Sequence, residues 1–232
     1  MDHSPRPKSR AFTLIEILVT TGIILVLAAL LFPLGKKAMA SGKKAKALSS
    51  MKLLLGCASN YQAENGTYAY YRLKRPTPFG NLFFYQYFPI DYLDYDENAL
   101  RSPFDDTWDE RAAQDNLLLP PTQKKTHYSY AMNLSLPLIG EGIMAYPSNM
   151  AIHSLSQTAF FIECMGTTPG IRGASPNANL SSVVRFAHRD GEAAMVGYLD
   201  YHIDLVNKTD LLNAPGSSWN ERTRKLFWSG VE

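Results

Sequence analysis

Between residues 17 and 34 the chain departs from apolarity only at Thr20, Thr21 and Gly22, and a single carboxylate, Glu16, stands at the mouth of this run. Counted from Phe12 the segment is 23 residues long. A helix needs about 20 apolar residues to cross a bilayer, so the length suffices. An isolated carboxylate near the start of such a helix costs about 1–3 kcal/mol, which means that Glu16 calls for a partner. Arg6, Lys8 and Arg10 precede the run, and Pro5 and Pro7 keep this basic leader out of a helix.

Two ordinary readings compete for the segment. Ala38-Met39-Ala40 fits the small-x-small rule of a secretory signal peptide cut before Ser41. The apolar core is longer than the roughly 7–15 residues of such signals, however, and Lys36 and Lys37 lie between it and the cut. A plain signal anchor explains the span and leaves Glu16 unexplained.

The stretch Phe12-Thr13-Leu14-Ile15-Glu16-Ile17-Leu18-Val19 behind its basic leader resembles the N-terminal processing signal of type IV prepilins and type II secretion pseudopilins. The resemblance implies cleavage between Ala11 and Phe12 by a prepilin peptidase and methylation of the new Phe12 amine. Glu16 would then pair with the amine of a neighbouring subunit. Ala11 stands where this family usually has Gly, which implies slower processing. A buried carboxylate and a buried ammonium each become tolerable when paired. Because every subunit carries both groups, the contact is heterologous and builds a filament rather than a closed ring. The resemblance further implies a single-pass inner-membrane protein with an extracytoplasmic head, later part of a pilus or pseudopilus among like subunits. Lysine counting points the other way, with three Lys/Arg in the leader against six lysines in residues 36–52. The leader motif takes precedence here.

The expected division is a leader at 1–11, a transmembrane helix at 12–34, an amphipathic stem at 35–64 and a globular head at 65–232. Leu48, Met51, Leu54, Leu55, Ala58 and Tyr61 recur at helical spacing, and Asn65-Gly66 supplies the stop. At about 1.5 Å per residue, residues 12–64 would make a stem of roughly 80 Å. Beyond Gly66 the expected strands are 128–133, 159–164, 183–187, 193–199 and 203–206, with a late helix capped by Ser218 and Glu221. A long helix packed on an antiparallel sheet is an α+β, pilin-like class. His188 and the run 197–202 more loosely resemble the His and Asp-Gly hairpin of large pseudopilin-like proteins, with Tyr201 in place of Gly.

Little points to catalysis. HExxH, GxSxG and a phosphate-cradling glycine loop are all missing, so no enzyme is expected. Asp200, His202 and Asp204 alternate as the solvated side of a strand rather than as a metal site, and the same bland reading is preferred for His188 and Asp190. Residues 91–115 hold nine acids against Arg101 and Arg111, a net charge of −7. Asp94, Asp96, Asp105, Asp106 and Asp109 are weak calcium candidates, and a solvated acidic loop is the favoured reading. No other cofactor is expected. The aromatic group Phe79, Phe83, Phe84, Tyr85, Tyr87, Phe88, Tyr92 and Tyr95 reads as core or interface. It lacks the interleaved bases of a nucleic-acid surface, and no nucleic acid is expected. Cys57 and Cys164 are available for a disulfide if the body is extracytoplasmic, with free buried thiols as the alternative. The stem lysines and the acidic segment are of opposite sign and are expected to meet between neighbouring subunits.

Overall fold

The computed structural model describes residues 13–69, 72–74, 81–94, 96–110, 129–136, 138–139, 146–147, 152–166, 170–173 and 179–231. The chain divides into two compact units, residues 1–42 and residues 43–232. Helix α1 (Leu14–Asn65) contributes to both. It stops where expected: Gly66 takes a φ of 70° and its N–H caps Gln62 O at 2.8 Å.

In the first unit the described apolar side chains of residues 14–30 are exposed all round the helix. Phe12 and the side chains of residues 31–34, also part of the expected span of residues 12–34, lie outside the described residues. Among the described residues no helix is long and apolar enough to cross a membrane.

In the second unit α1 lies on a five-stranded sheet. Two short hairpin strands, β1 (Arg72–Lys74) and β2 (Asn81–Phe83), lead into α2 (Phe84–Tyr92). The pair β4 (Leu138–Ile139) and β5 (Tyr146–Pro147) stands apart as a second small ladder. The main sheet consists of β3 (Tyr130–Asn133), β6 (Ala159–Glu163), β7 (Gly170–Ile171), β8 (Ala193–Tyr198) and β9 (Ile203–Asn207), in the order β7-β3-β6-β8-β9. All neighbours are antiparallel except β3 and β7. The α+β class read from the sequence is therefore the observed one.

The central strands β6 and β8 are buried at every residue because both faces of the sheet are covered. On one face Met51, Leu54, Leu55, Ala58 and Tyr61 of α1 join Phe84, Tyr87 and Phe88 of α2 against Tyr130, Met132, Phe161 and Met195. A register shift between Ala159 and Phe161 puts the adjacent Phe160 and Phe161 in this same cluster. Gly197 lets the helix come close, since a Cβ there would sit 3.0 Å from Leu55. On the other face α3 (Lys208–Leu212) and α4 (Glu221–Ser229) bring Leu211, Phe227 and Trp228 onto Ala131, Ile162, Ala194 and Val196.

Several expectations are corrected. The stem stripe includes Ala47 and excludes Leu48, which is exposed. Ala47 is buried where the helix meets the sheet, and Tyr130 Oη donates to its carbonyl oxygen at 3.3 Å. Residues 183–187 form no strand: Val184 makes one isolated bridge to Cys164, and Arg185 then turns inward. The last helix is capped by Asn220, which accepts from Thr223 N at 2.8 Å, and not by Ser218. Ser217 and Ser218 are engaged instead by Asp210, to which Ser218 N donates at 2.7 Å and Ser217 Oγ at 2.9 Å. The aromatic group reads as core where it is described, with Phe84, Tyr87 and Phe88 buried in α2; Phe79 and Tyr95 lie outside the described residues. Cys57 and Cys164 are both free and buried, one in each apolar cluster, so no disulfide joins them. Burial pushes each thiol up to about 12.

Asp210 carries a pH prediction. Burial alone would raise its carboxyl, but hydrogen bonds from the Ser218 amide and from the Ser217 and Ser218 hydroxyls outweigh burial and lower it. A lowered folded value stabilises the fold above the unfolded value of about 3.9, and that contribution disappears as pH falls through the folded value. Asp210→Asn should therefore shift the urea midpoint down at pH 7 and much less near pH 2. Equal shifts at both would show that packing, not charge, is what the residue supplies.

Candidate functional site

The first candidate is the start of α1. Thr13 N and Thr13 Oγ1 both donate to Glu16 Oε2, at 2.8 and 2.9 Å, and Glu16 N donates back to Thr13 Oγ1 at 3.3 Å. This is a reciprocal capping box, and it satisfies the donors that a helix start leaves open. Its sequence signal is Thr13-x-x-Glu16 ahead of an apolar run, a capping pattern that the charge of Glu16 alone does not reveal. The box answers the hydrogen-bonding need of the carboxylate and not its charge. Glu16 is exposed, and no cation pairs with it among the described residues. Thr20 and Thr21 hide their polarity locally: their hydroxyls donate to Glu16 O and Ile17 O, both at 2.9 Å. Ala11 and Phe12 lie outside the described residues.

The second candidate is a buried polar network in the sheet unit. Glu163 ends the otherwise apolar β6 and is fully buried. Its Oε2 lies 2.8 Å from His188 Nε2, and its Oε1 accepts from the Ser102 hydroxyl. Alongside, the buried Asp105 accepts from Arg185 Nη2 at 3.0 Å and from Ser129 Oγ at 2.8 Å. Arg185 spends its other donors on Cys164 O, at 3.1 Å, and on Phe104 O. Buried charges persist only when paired and hydrogen-bonded in this way. Burial, with the Glu163 carboxylate nearby, pushes the Tyr130 phenol well above its usual value and keeps it a neutral donor.

This arrangement fastens the loop around residues 102–105 to the sheet. Ser102 donates its hydroxyl to Glu163, whose other carboxylate oxygen meets His188. The acidic segment is thus not simply solvated. Asp105 is interior, whereas Asp94, Asp96, Asp106 and Asp109 are exposed, and Asp109 makes a two-pronged pair with Arg101 at 2.8 and 2.9 Å. Asp115 lies outside the described residues. Among the described residues no group of three or more His, Cys, Asp or Glu is placed to hold a metal ion. The five calcium candidates are not brought together.

His188, read as solvated, is buried against Glu163 and the Phe104 ring. Asp200, His202 and Asp204 are exposed, with His202 Nδ1 2.5 Å from Asp200 Oδ1. They do not share one continuous strand, because residues 199–202 form the turn between β8 and β9. Tyr201 adopts a φ of 69° there, which a bulky residue rarely does. Its hydroxyl reaches Gln62 Oε1 of α1 at 2.5 Å, an anchor that glycine could not supply. Glu163, Ser102 and Arg185 were missed from sequence. A lone glutamate closing the run Ala159-Phe160-Phe161-Ile162 was the available signal.

Residues 6–32 match the prokaryotic N-terminal methylation motif, the signature of type IV prepilins and pseudopilins. The matched residues end well before the sheet unit. No curated protein and no solved structure matches the chain.

Proposed function

We propose that the chain is a type IV pilin-like or pseudopilin subunit, cut between Ala11 and Phe12, methylated at Phe12, and assembled with like subunits through their α1 helices. The methylation motif carries this reading. The structure of the helix start supports it, since Glu16 is left with a charge that nothing described neutralises. A methylated amine at Phe12 of a neighbouring copy is a partner of the right sign and is delivered by the cleavage itself. The exposed apolar surface of residues 14–30 needs cover, first by a bilayer and then by other helices. The function is structural, without a catalytic centre or a resident cofactor, and the protein is anchored in the inner membrane before assembly.

N-terminal mass spectrometry of the membrane fraction tests the reading. The mature chain is expected to begin at methylated Phe12. A chain beginning at Ser41 would show a conventional signal peptide, and an intact Met1 a plain anchor. Helix α1 runs without interruption through residues 38–41, which favours the Phe12 cut over the Ser41 cut.

Glu16→Val is expected to leave synthesis and membrane insertion intact while reducing filament incorporation at least tenfold, measured by shearing and immunoblotting. Incorporation at the parental level would remove the pairing role.

A further inference from the structure

Ion pairing within the unit of residues 43–232 leaves charges of both signs over. Lys44, Lys46 and Lys52 are exposed on α1, and their side chains make no ion pair or hydrogen bond among the described residues. Asp94, Asp106 and Glu110 are exposed on the acidic segment and are equally unpaired. The two surfaces are near each other in one chain: Ser50 Oγ donates to Arg101 O at 3.1 Å, and Lys43 Nζ lies 6.0 Å from the Phe104 ring centre. Even so, the acids that this loop does pair go elsewhere, Asp105 to Arg185 and Asp109 to Arg101. The network around Glu163 and Asp105 pins the loop by its interior residues and turns the remaining acids outward.

We propose that Lys44 and Lys52, which lie about 80° apart around α1, dock on the outward acidic surface of a second copy of this chain, formed by Asp94, Asp106 and Glu110. The inference rests on the pilin-like reading, in which copies lie side by side and in parallel. Charge complementarity names the occupant: Lys44 and Lys52 are exposed without an acidic partner, and Asp94, Asp106 and Glu110 are exposed without a basic one, among the described residues. The contact is heterologous, with different patches on the two copies, so it extends along a filament and does not close a dimer. It adds register to an assembly whose helix contacts are apolar apart from the Glu16–Phe12 pair. At physiological salt the Debye length is about 8 Å, so only lysines and acids brought into contact contribute.

The test uses full-length chains carrying two different tags, co-expressed and treated with a zero-length carbodiimide that joins contacting amines and carboxyls. Cross-linked pairs bearing both tags are expected, with Lys44 or Lys52 peptides joined to Asp106 or Glu110 peptides. The pair Lys44→Glu and Lys52→Glu, or the pair Asp106→Lys and Glu110→Lys, should each lower the yield of mixed-tag pairs at least fivefold. Co-expression of the two reversed chains should restore it. Unchanged yields in the reversed chains would overturn the proposal. A loss with the lysine changes that the reversed acids do not rescue would overturn it too, in favour of lysines bound to anionic lipid headgroups. Methylated Phe12 is checked in the same samples, so a chain never cut at Phe12 marks failure of the pilin-like reading itself. A chain cut at Phe12 and assembled without these cross-links overturns only the charged contact.

Discussion

Arg185→Ala should lower the stability of the sheet unit by about 3–5 kcal/mol, the usual consequence of removing one member of a buried ion pair. The mutation removes the Arg185 guanidinium from the buried Asp105 carboxylate, which also accepts from the Ser129 and Thr107 hydroxyls. It also strips Cys164 O and Phe104 O of their donors. For a chain of this size each kcal/mol moves the thermal midpoint by roughly 2–4 °C, so a drop of about 10 °C is expected. Lys52→Ala, on the exposed side of α1, should move it by less than about 2 °C. Asp105→Asn added to Arg185→Ala should recover part of the loss, because the buried charge that Arg185 offsets is then gone. A double variant no better than Arg185→Ala alone would assign the loss to the carbonyl hydrogen bonds instead.

Gly173→Ala should be the most damaging of the alanine substitutions at the described glycines. A Cβ at this position would fall 2.2 Å from Trp228 Cδ2 and Cε2, and Trp228, carried by α4, is buried in the core of the second sheet face. The indole cannot yield without disturbing Phe227, whose ring centre is 4.9 Å away, or the Asn133 side chain, which donates to Trp228 O at 2.8 Å. Overpacking of this kind costs on the order of 3 kcal/mol. Tryptophan fluorescence and a denaturant midpoint would report it together. Gly56→Ala is the matched control: the site is exposed, nothing lies within 4 Å of the new methyl, and helix propensity predicts a gain of about 0.5–1 kcal/mol. Equal effects at the two glycines would show that the Trp228 contact is not what makes residue 173 intolerant.

The parts of the molecule that could be read in advance are those written in local periodicity or in a contiguous signal. The helix of residues 14–65, its stop at Gly66, four of the five main strands' positions and the methylation motif all fall in this class. So does the α+β class, because a 3.6-residue period followed by short apolar runs leaves few other ways to bury them. The capping box of Thr13 and Glu16 is equally local, since both partners lie within one helical turn.

What only the folded chain decided are the pairings between residues far apart in sequence. Glu163 and Ser102 are 61 positions apart, and Arg185 and Phe104 are 81 apart. No spacing rule connects them, since a charged residue may enter a core wherever the fold happens to bring a partner. That is why Asp105 could not be told from Asp106 in an acidic run, although one is interior and the other exposed. The same reason accounts for residues 183–187, whose strand-like composition lost to Arg185 turning inward to meet Asp105. Tyr201 sits at a positive φ because its hydroxyl is held by Gln62, 139 positions away, and local turn preference had no access to that hydrogen bond.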